Sequence, residues 1–274
     1  MTHHDVGERD IAVDQAERPA IRAASAVRVI ENAANAGFTR GVNQGLDLAR
    51  GEVMFVLNPD CTLGPGALVR LLESLAADAT LAAVAPALAD THGRVARSCG
   101  RFPSLWSLFA DHFGLASASP GSPWLGGYKY GGRPMESLGR VDWASGAALL
   151  INRAAYEDLG GFDEHLFMYM EEVDWCRRAA LAGLGVRYVP AAAVVHVGQQ
   201  SSRRVPGQTY LHNLRSRVYY FRKHHGPVAA LAAKGILASS LVLKWLGSRV
   251  SPARREDSAV YAAGLEALRE VAWR

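Results

Sequence analysis

The chain has 274 residues, 49% of them hydrophobic and 20% charged, a globular composition with length for one large or two small domains, which excludes intrinsic disorder over most of its length. Its three scattered cysteines, Cys61, Cys99 and Cys176, lack paired metal-ligand spacing and exclude a disulfide framework or zinc ribbon, so a reducing cytoplasm is the simplest setting. Net charge is +4, but residues 201–274 carry 13 Lys and Arg against 4 Asp and Glu, net +9, while residues 1–200 carry 17 against 22, net −5, and this basic end suits an anionic lipid surface better than nucleic acid.

Residues 1–28 are polar and acid-rich and read as no signal peptide. Asp10–Asp14 and Val27–Glu31 are short strand candidates, and Thr39–Arg50 is a helical stretch closed by Gly51. Glu52–Leu57 is a continuous apolar run, as expected for a strand buried on both faces of a parallel sheet, and it stops at Asn58-Pro59-Asp60. Ala67–Ala77 then puts Leu68, Leu71, Leu72 and Leu75 on one helical face, and Leu81–Ala85 returns as a strand broken by Pro86. This alternation predicts an α/β domain with a mostly parallel sheet flanked by helices, whose ligands bind at the carboxyl ends of strands, where Asn58 and Asp60 sit.

Residues 98–140 hold Gly126-Gly127 and Gly131-Gly132 and read as a long irregular excursion with one amphipathic piece, Leu105–Phe113. Order resumes with the apolar Val141–Asn152, a helix over Arg153–Leu159 stopped by Gly160-Gly161, and a helix over Glu171–Ala182 stopped by Gly183. A strand pair follows at Val186–Val189 and Ala193–Val197. After Pro206 the pattern turns helical, at Tyr210–His225 and Pro227–Leu246, with an amphipathic tail over Arg249–Arg274. The second helix is nearly all apolar, but Lys234 and Lys244 favour an interfacial or packed helix over a spanning one. The expected division is a domain over residues 1–205 and a basic helical extension over 206–274.

Three elements carry chemistry. Asn58-Pro59-Asp60 is ordinary turn chemistry, and its two side-chain oxygens at a strand end equally suit a hard divalent cation. The acids Asp163, Glu164, Glu171, Glu172 and Asp174 include helix N-terminal residues that the dipole favours, yet crowding so many carboxylates costs energy unless a cation or a proton-accepting role uses them. His196, closing an apolar strand, reads either as a satisfied structural residue or as a nitrogen ligand.

In order, the segments Asn32–Phe38, Asn43–Leu46, Ala49-Arg50-Gly51, Leu57–Asp60, Val141–Ala147, Gly160–Glu164, Phe167–Asp174 and His196 resemble glycosyltransferase family 2, the inverting nucleotide-sugar transferases of the GT-A fold, and its rhamnosyltransferase-like branch in particular. The resemblance implies that Asp60, assisted by Asn58 and His196, holds Mg²⁺ or Mn²⁺ against the diphosphate of a nucleotide-sugar donor. It implies that Glu172 is the base that deprotonates the acceptor hydroxyl, with Glu171 and Asp174 as rivals because relatives often carry Asp at this place. Asn35, Gly37 and Asn43 would belong to the donor site. Asp142, Trp143 and Gly146 would shape the sugar and acceptor pocket, and Arg177 with Asp174 would organise the base. The resemblance departs at the start, where Ile11–Gln15 stands as a remnant of the second strand, with Asp14 in the position of a nucleotide-contacting acid, so the chain reads as N-terminally truncated. The function implied is transfer of a sugar, with L-rhamnose from a dTDP donor as first candidate, to a cell-surface glycan or polyprenyl-diphosphate-linked acceptor. The enzyme would be peripheral on the cytoplasmic face of a membrane, held by Arg203, Arg204, Arg215, Arg217, Arg222 and Lys223. A non-catalytic truncated relative acting as a scaffold is the alternative, and a nucleotidyltransferase is disfavoured by the lack of a Gly-rich phosphate loop.

Overall fold

The computed structural model describes residues 28–122, 124–126, 128–130, 133–197, 206–250 and 257–271; the strand expected over 10–14, with Asp14, and the pair Arg203-Arg204 lie outside them. The first element is α1 (Gly37–Leu48), followed by β1 (Val53–Leu57), β2 (Cys61–Leu63), α2 (Ala67–Ala76) and β3 (Leu81–Ala89). The 98–140 excursion contains β4 (Cys99–Gly100), α3 (Leu105–His112) and the single turn α4 (Leu115–Ala118), and runs into β5 (Arg140–Val141). Then come β6 (Trp143–Ala144), β7 (Ala148–Asn152), α5 (Arg153–Leu159), α6 (Glu171–Leu181), β8 (Gly185–His196), α7 (Pro206–Val250) and α8 (Asp257–Glu270).

Local chemistry explains the boundaries. Asn152 caps α5, its side chain accepting the Ala154 N–H at 2.9 Å, and Gly160, at φ +75°, ends it. The Ser104 and Ser107 side chains form a reciprocal capping box at the start of α3. Within α7, Gly226 at φ +84° interrupts the helical backbone and Pro227 opens the second half, so the two expected helices meet at a kink.

The principal sheet has the order β1–β7–β3–β8–β2, with β5 also beside β8. Among the described residues it is mixed rather than mostly parallel, since only β3 and β8 run parallel and the other neighbours are antiparallel. The α/β class stands, but the continuous apolar run of β1 does not mark a central parallel strand. It pairs antiparallel with β7, and its burial alternates. Pro86 does not end β3; the strand continues to Ala89 and absorbs the missing N–H at a register shift between Pro86 and Ala87. Opposite that shift the β8 register jumps from Val189 to Ala193, so the two expected strands are one bulged strand. Residues 28–31 form no strand, being exposed and without β pairing among the described residues.

Helices cover both faces. Leu81, Val84 and Leu150 pack under Ala67, Leu71 and Leu75 of α2, whose Leu68 and Leu72 point to solvent instead of joining the expected stripe. Ala83, Ala85, Leu149 and Ile151 point the other way into the main core, which α5, α6 and the C-terminal helices share. Leu214, Val218, Tyr220 and Phe221 of α7 belong to that core, as do Leu237, Leu241 and Leu268. The basic extension is thus packed into the α/β body, and the terminal stretch is held where Gly264 of α8 lets Leu214 and Leu241 approach.

A buried ionic knot joins α6 to α7. Asp174, fully buried, accepts from His224 Nε2 at 2.7 Å, Lys223 Nζ at 2.8 Å and Arg178 Nε at 3.0 Å. Burial alone would raise its pKa, but hydrogen bonds from His224 and Lys223 overcome that and hold it below the usual carboxylate range. Lys223 also reaches Asp163 at 2.6 Å, which accepts the Tyr219 hydroxyl at 2.8 Å. Asp174→Ala strands these cations and should lower the unfolding free energy by about 3 kcal/mol, the lower end for a broken buried pair because Lys223 and Arg178 keep some solvent. Urea unfolding checks this, and an unshifted midpoint would show that the knot contributes nothing.

Candidate active site

Two parts of the molecule gather chemically capable side chains. The first lies where β1 turns into β2. The Asn58 N–H donates to Ala147 O at 2.8 Å, and the Cys61 N–H closes the turn onto Asn58 O at 3.0 Å. Cys61 faces His196 directly across the β2–β8 ladder, and Val197 N–H donates to Asp60 O at 3.0 Å. Asp60 Oδ1 and His196 Nε2 stand 3.2 Å apart, and the Cys61 sulfur lies within 4.8 Å of both ligand atoms. A carboxylate oxygen and an imidazole nitrogen at this separation, both half-buried, form a donor set that fits a divalent cation. Burial, then the charge of Asp60, push the Cys61 thiol up to about 11. The sequence reading missed Cys61 in this group; only its adjacency to Asp60 hinted at it, because the pairing with His196 is a matter of sheet register.

The second part is the start of α6. Tyr169 and Met170 both adopt left-handed backbone, at φ 69° and 71°, which is costly for residues with side chains and ejects Glu171 and Glu172 onto the first helical turn. Each has a buried Oε2 with no hydrogen-bond partner among the described residues. Burial and then the charge of Glu172 raise the Glu171 pKa well above the ordinary carboxylate range. Burial also raises Glu172, against the backbone N–H groups of Glu172 and Val173 and the positive charge of Lys129. Glu171 is 5% exposed, whereas Glu172 retains an opening. A partly open, desolvated carboxylate suits proton acceptance; the sealed Glu171 does not. Asp174, claimed by Arg178, Lys223 and His224, is unsuited to it as well.

The two parts meet through residues 145–148. Gly146 lies against Glu172, since a Cβ on it would stand 3.7 Å from Glu172 Cβ and 3.5 Å from the Phe38 ring, while the next residue, Ala147, anchors Asn58 and Cys61. Asp142, Trp143 and Arg177 converge elsewhere, on the 101–102 loop. Asp142 Oδ2 accepts the Phe102 N–H at 2.8 Å, Trp143 Nε1 donates to Arg101 O at 2.8 Å, and the Arg177 guanidinium lies 4.9 Å from the Phe102 ring centroid. The ion pair to Asp174 comes from Arg178, not Arg177.

Asn35, Gly37 and Asn43 serve the backbone around α1. Asn35 Oδ1 accepts the Gly37 N–H at 3.0 Å, and Gly37, at φ +84°, passes so close to Phe167 that a Cβ would clash at 2.6 Å. Asn43 clamps Phe162 from both sides, accepting its N–H at 2.9 Å and donating to its carbonyl at 2.8 Å, and Thr39 donates to Leu166 O.

The mixed α/β sheet thus carries an Asp–His pair able to hold a cation at one strand end, and residues 146–147 connect it to a desolvated carboxylate. Residues 7–219 match the model of the family described as Glycosyltransferase like family 2, and the chain belongs to that family and is a glycosyltransferase. It is 31% identical over 245 residues, 85% of this chain and 79% of the relative, to N-acetylglucosaminyl-diphospho-decaprenol L-rhamnosyltransferase of Mycobacterium tuberculosis. Rhamnosyltransferase WbbL of Escherichia coli is 32% identical over 83 residues, 30% of this chain and 31% of that one. Among solved structures, the mannosyltransferase PcManGT from Pyrobaculum calidifontis, in complex with GDP-Man and Mn²⁺, is similar over 90% of this chain and 70% of that one, at 16% identity and TM-score 0.46. A likeness this remote carries no ligand position across.

The glutamate pair sets a pH dependence. In the fold Glu171 holds its proton more tightly than in the unfolded chain, so its contribution to stability is full below the unfolded carboxylate pKa and is lost as pH rises toward the folded value. Glu171→Gln removes that loss. The melting temperature of the variant should therefore gain on the parent as pH rises from about 4.5 to neutrality; a constant difference over that range would refute a protonated Glu171.

Proposed function

We propose that this glycosyltransferase moves L-rhamnose from a nucleotide-sugar donor, dTDP-rhamnose first among candidates, to a polyprenyl-diphosphate-linked acceptor at the cytoplasmic face of a membrane. The observation that carries the reading is the joining of the Asp60–His196 pair to Glu172 by one short segment, through Ala147 and Gly146. The name of the mycobacterial relative supports the sugar and the lipid-linked acceptor.

Asp60 and His196, with Asn58 beside them, would hold Mg²⁺ or Mn²⁺. Such an ion acts as a Lewis acid that stabilises the negative charge growing on a nucleoside diphosphate as it leaves the anomeric carbon. Glu172 takes the proton of the acceptor hydroxyl as that oxygen attacks. Its desolvation makes the carboxylate more basic, and the backbone N–H groups of the first turn and Lys129 oppose that shift in part. Burial and the neighbouring charge raise the Glu171 pKa, which disfavours a second negative charge beside the base. Calorimetric titration of dTDP, UDP and GDP tests the reading. Binding should require Mn²⁺, vanish in Asp60→Ala and survive in Glu172→Gln, whose turnover should fall about 10²–10⁴-fold. Metal-independent binding that Asp60→Ala leaves intact would sink the cation assignment.

The membrane reading takes support from a different surface than the one expected. Arg215 pairs with Glu270 at 2.7 Å, Arg217 binds Asn213 and the Tyr128 hydroxyl, and Lys223 belongs to the buried knot. Those cations serve the fold. The second half of α7 instead leaves Val228, Leu231, Val242, Leu246 and Val250 exposed at helical spacing, opposite the buried Ala230, Ala233, Leu237 and Leu241. α7 is also the one helix among the described residues long and apolar enough to cross a membrane, though its inner stripe is occupied by the core. An interfacial position uses both stripes. Leu231→Glu with Leu246→Glu removes about 1.5–3 kcal/mol of apolar burial per side chain and should weaken co-sedimentation with phosphatidylglycerol vesicles more than about tenfold; unchanged sedimentation would refute the interfacial helix.

A further inference from the structure

We propose that Cys61 joins Asp60 and His196 as a third ligand for a thiophilic divalent cation, with Zn²⁺ as the type ion, and that this ion competes with the hard cation of the donor site and blocks it. The proposal rests on the cation reading of Asp60 and His196 above and extends it to another residue and another class of ion.

The ligand set is made by strand register. Cys61 and His196 are directly opposed on antiparallel strands, so their side chains share a face of the sheet. Asp60, one residue earlier, is fixed to the same ladder through Val197. The three ligand atoms lie within 4.8 Å of one another. The 3.2 Å between Asp60 Oδ1 and His196 Nε2 is close to the edge of about 3.4 Å expected of a tetrahedral zinc site with bonds of roughly 2.0–2.3 Å. Sulfur reaches the same ion by giving up its weak 3.4 Å hydrogen bond to Ala147 O. Of the three cysteines, Cys99 and Cys176 are buried and only Cys61 has access to solvent.

The donor chemistry then decides which ion wins. Mg²⁺ and Mn²⁺ favour oxygen ligands and octahedral coordination, and an Asp–His pair leaves most of their positions open for diphosphate oxygens. A carboxylate, an imidazole and a thiolate together select Zn²⁺, whose four-coordinate geometry then keeps a single open position. Binding breaks the Cys61 S–H bond and forms a Zn–S bond; the proton leaves to solvent, and nothing is oxidised or reduced. With one position left, the ion cannot accept the two diphosphate oxygens that a hard cation would hold.

Cobalt titration of the full chain tests this, because thiolate ligation gives Co²⁺ an intense near-ultraviolet sulfur-to-metal absorption. The parent should develop that band, one equivalent of Zn²⁺ should abolish it, and Cys61→Ser and Cys61→Ala should lack it. In both variants Zn²⁺ affinity should fall at least about tenfold, the lower end of the loss caused by removing even an outer-shell partner. A band that persists in both variants overturns the proposal. So does a parent without the band that still binds dTDP with Mn²⁺, an outcome that leaves the cation reading standing. A folded parent with neither the band nor Mn²⁺-dependent binding overturns both.

Discussion

Glu171 and Glu172 stand side by side in the first turn of α6 with one oxygen of each shut away from solvent and from hydrogen-bond partners among the described residues. Two ionised carboxylates so placed would repel each other in a poorly screening environment, and the surrounding structure reads as a set of answers to that difficulty. The helix N-terminus supplies backbone N–H groups, Lys129 supplies a positive charge, and the Glu171 pKa is shifted upward. Two consecutive left-handed residues, Tyr169 and Met170, aim the turn, and they hold only because what flanks them is fixed. On one side Leu166 and Phe167 are bound to α1; on the other, Asp174 locks the first turn of α6 to α7.

That lock changes the meaning of the charge asymmetry. A net charge of +9 over residues 201–274 suggests a surface for anions, but Lys223, Arg215 and Arg217 each find partners within the chain. The acids that Lys223 meets, Asp163 and Asp174, belong to the acidic first 200 residues, whereas Arg215 meets Glu270 of its own half. Part of the opposition between the chain's halves is therefore an internal electrostatic fit between the α/β body and the helix that covers it. The second half of α7 also leaves a row of apolar side chains exposed.

Much of this was legible in the residues. Helices with clear stops, such as Arg153–Leu159 before Gly160 and the one ending at Gly183, fall where glycine and periodicity put them, because their boundaries are local. Strand direction was not legible. An apolar run such as Val53–Leu57 says that a strand is buried, not which neighbour buries it, and Pro86 reads as a stop because its accommodation needs a bulge in a partner strand 100 residues away. The site divides the same way. Asp60, His196 and Glu172 stand out by residue type and motif, whereas the inclusion of Cys61 depends on register and the Asp174–Lys223–His224 knot on tertiary packing. Arg178 rather than Arg177 faces Asp174 because i,i+4 residues share a helix face and i,i+3 residues do so less squarely; that much was available from helical geometry alone.

Asn35, Gly37 and Asn43 illustrate a further limit of motif reading. Each sits in a segment that resembles the family, yet in the fold each stitches backbone to backbone: Gly37 admits Phe167, Asn43 grips Phe162, and Asn35 closes the turn into α1. These contacts pin the loop that delivers Tyr169, Met170 and the two glutamates. A side chain can belong to a functional motif without touching a ligand, by fixing the path of the backbone that bears the reacting group. The 145–148 segment does the same from the opposite side. Gly146, lacking a side chain, lets Glu172 and Phe38 close in, while Ala147 holds the Asn58 turn, so a displacement of this strand end would move the cation pair and the carboxylate together. The spacing between the two halves of the chemistry is thereby set by the short turn at residues 145–147, which is held between two strands, β6 and β7.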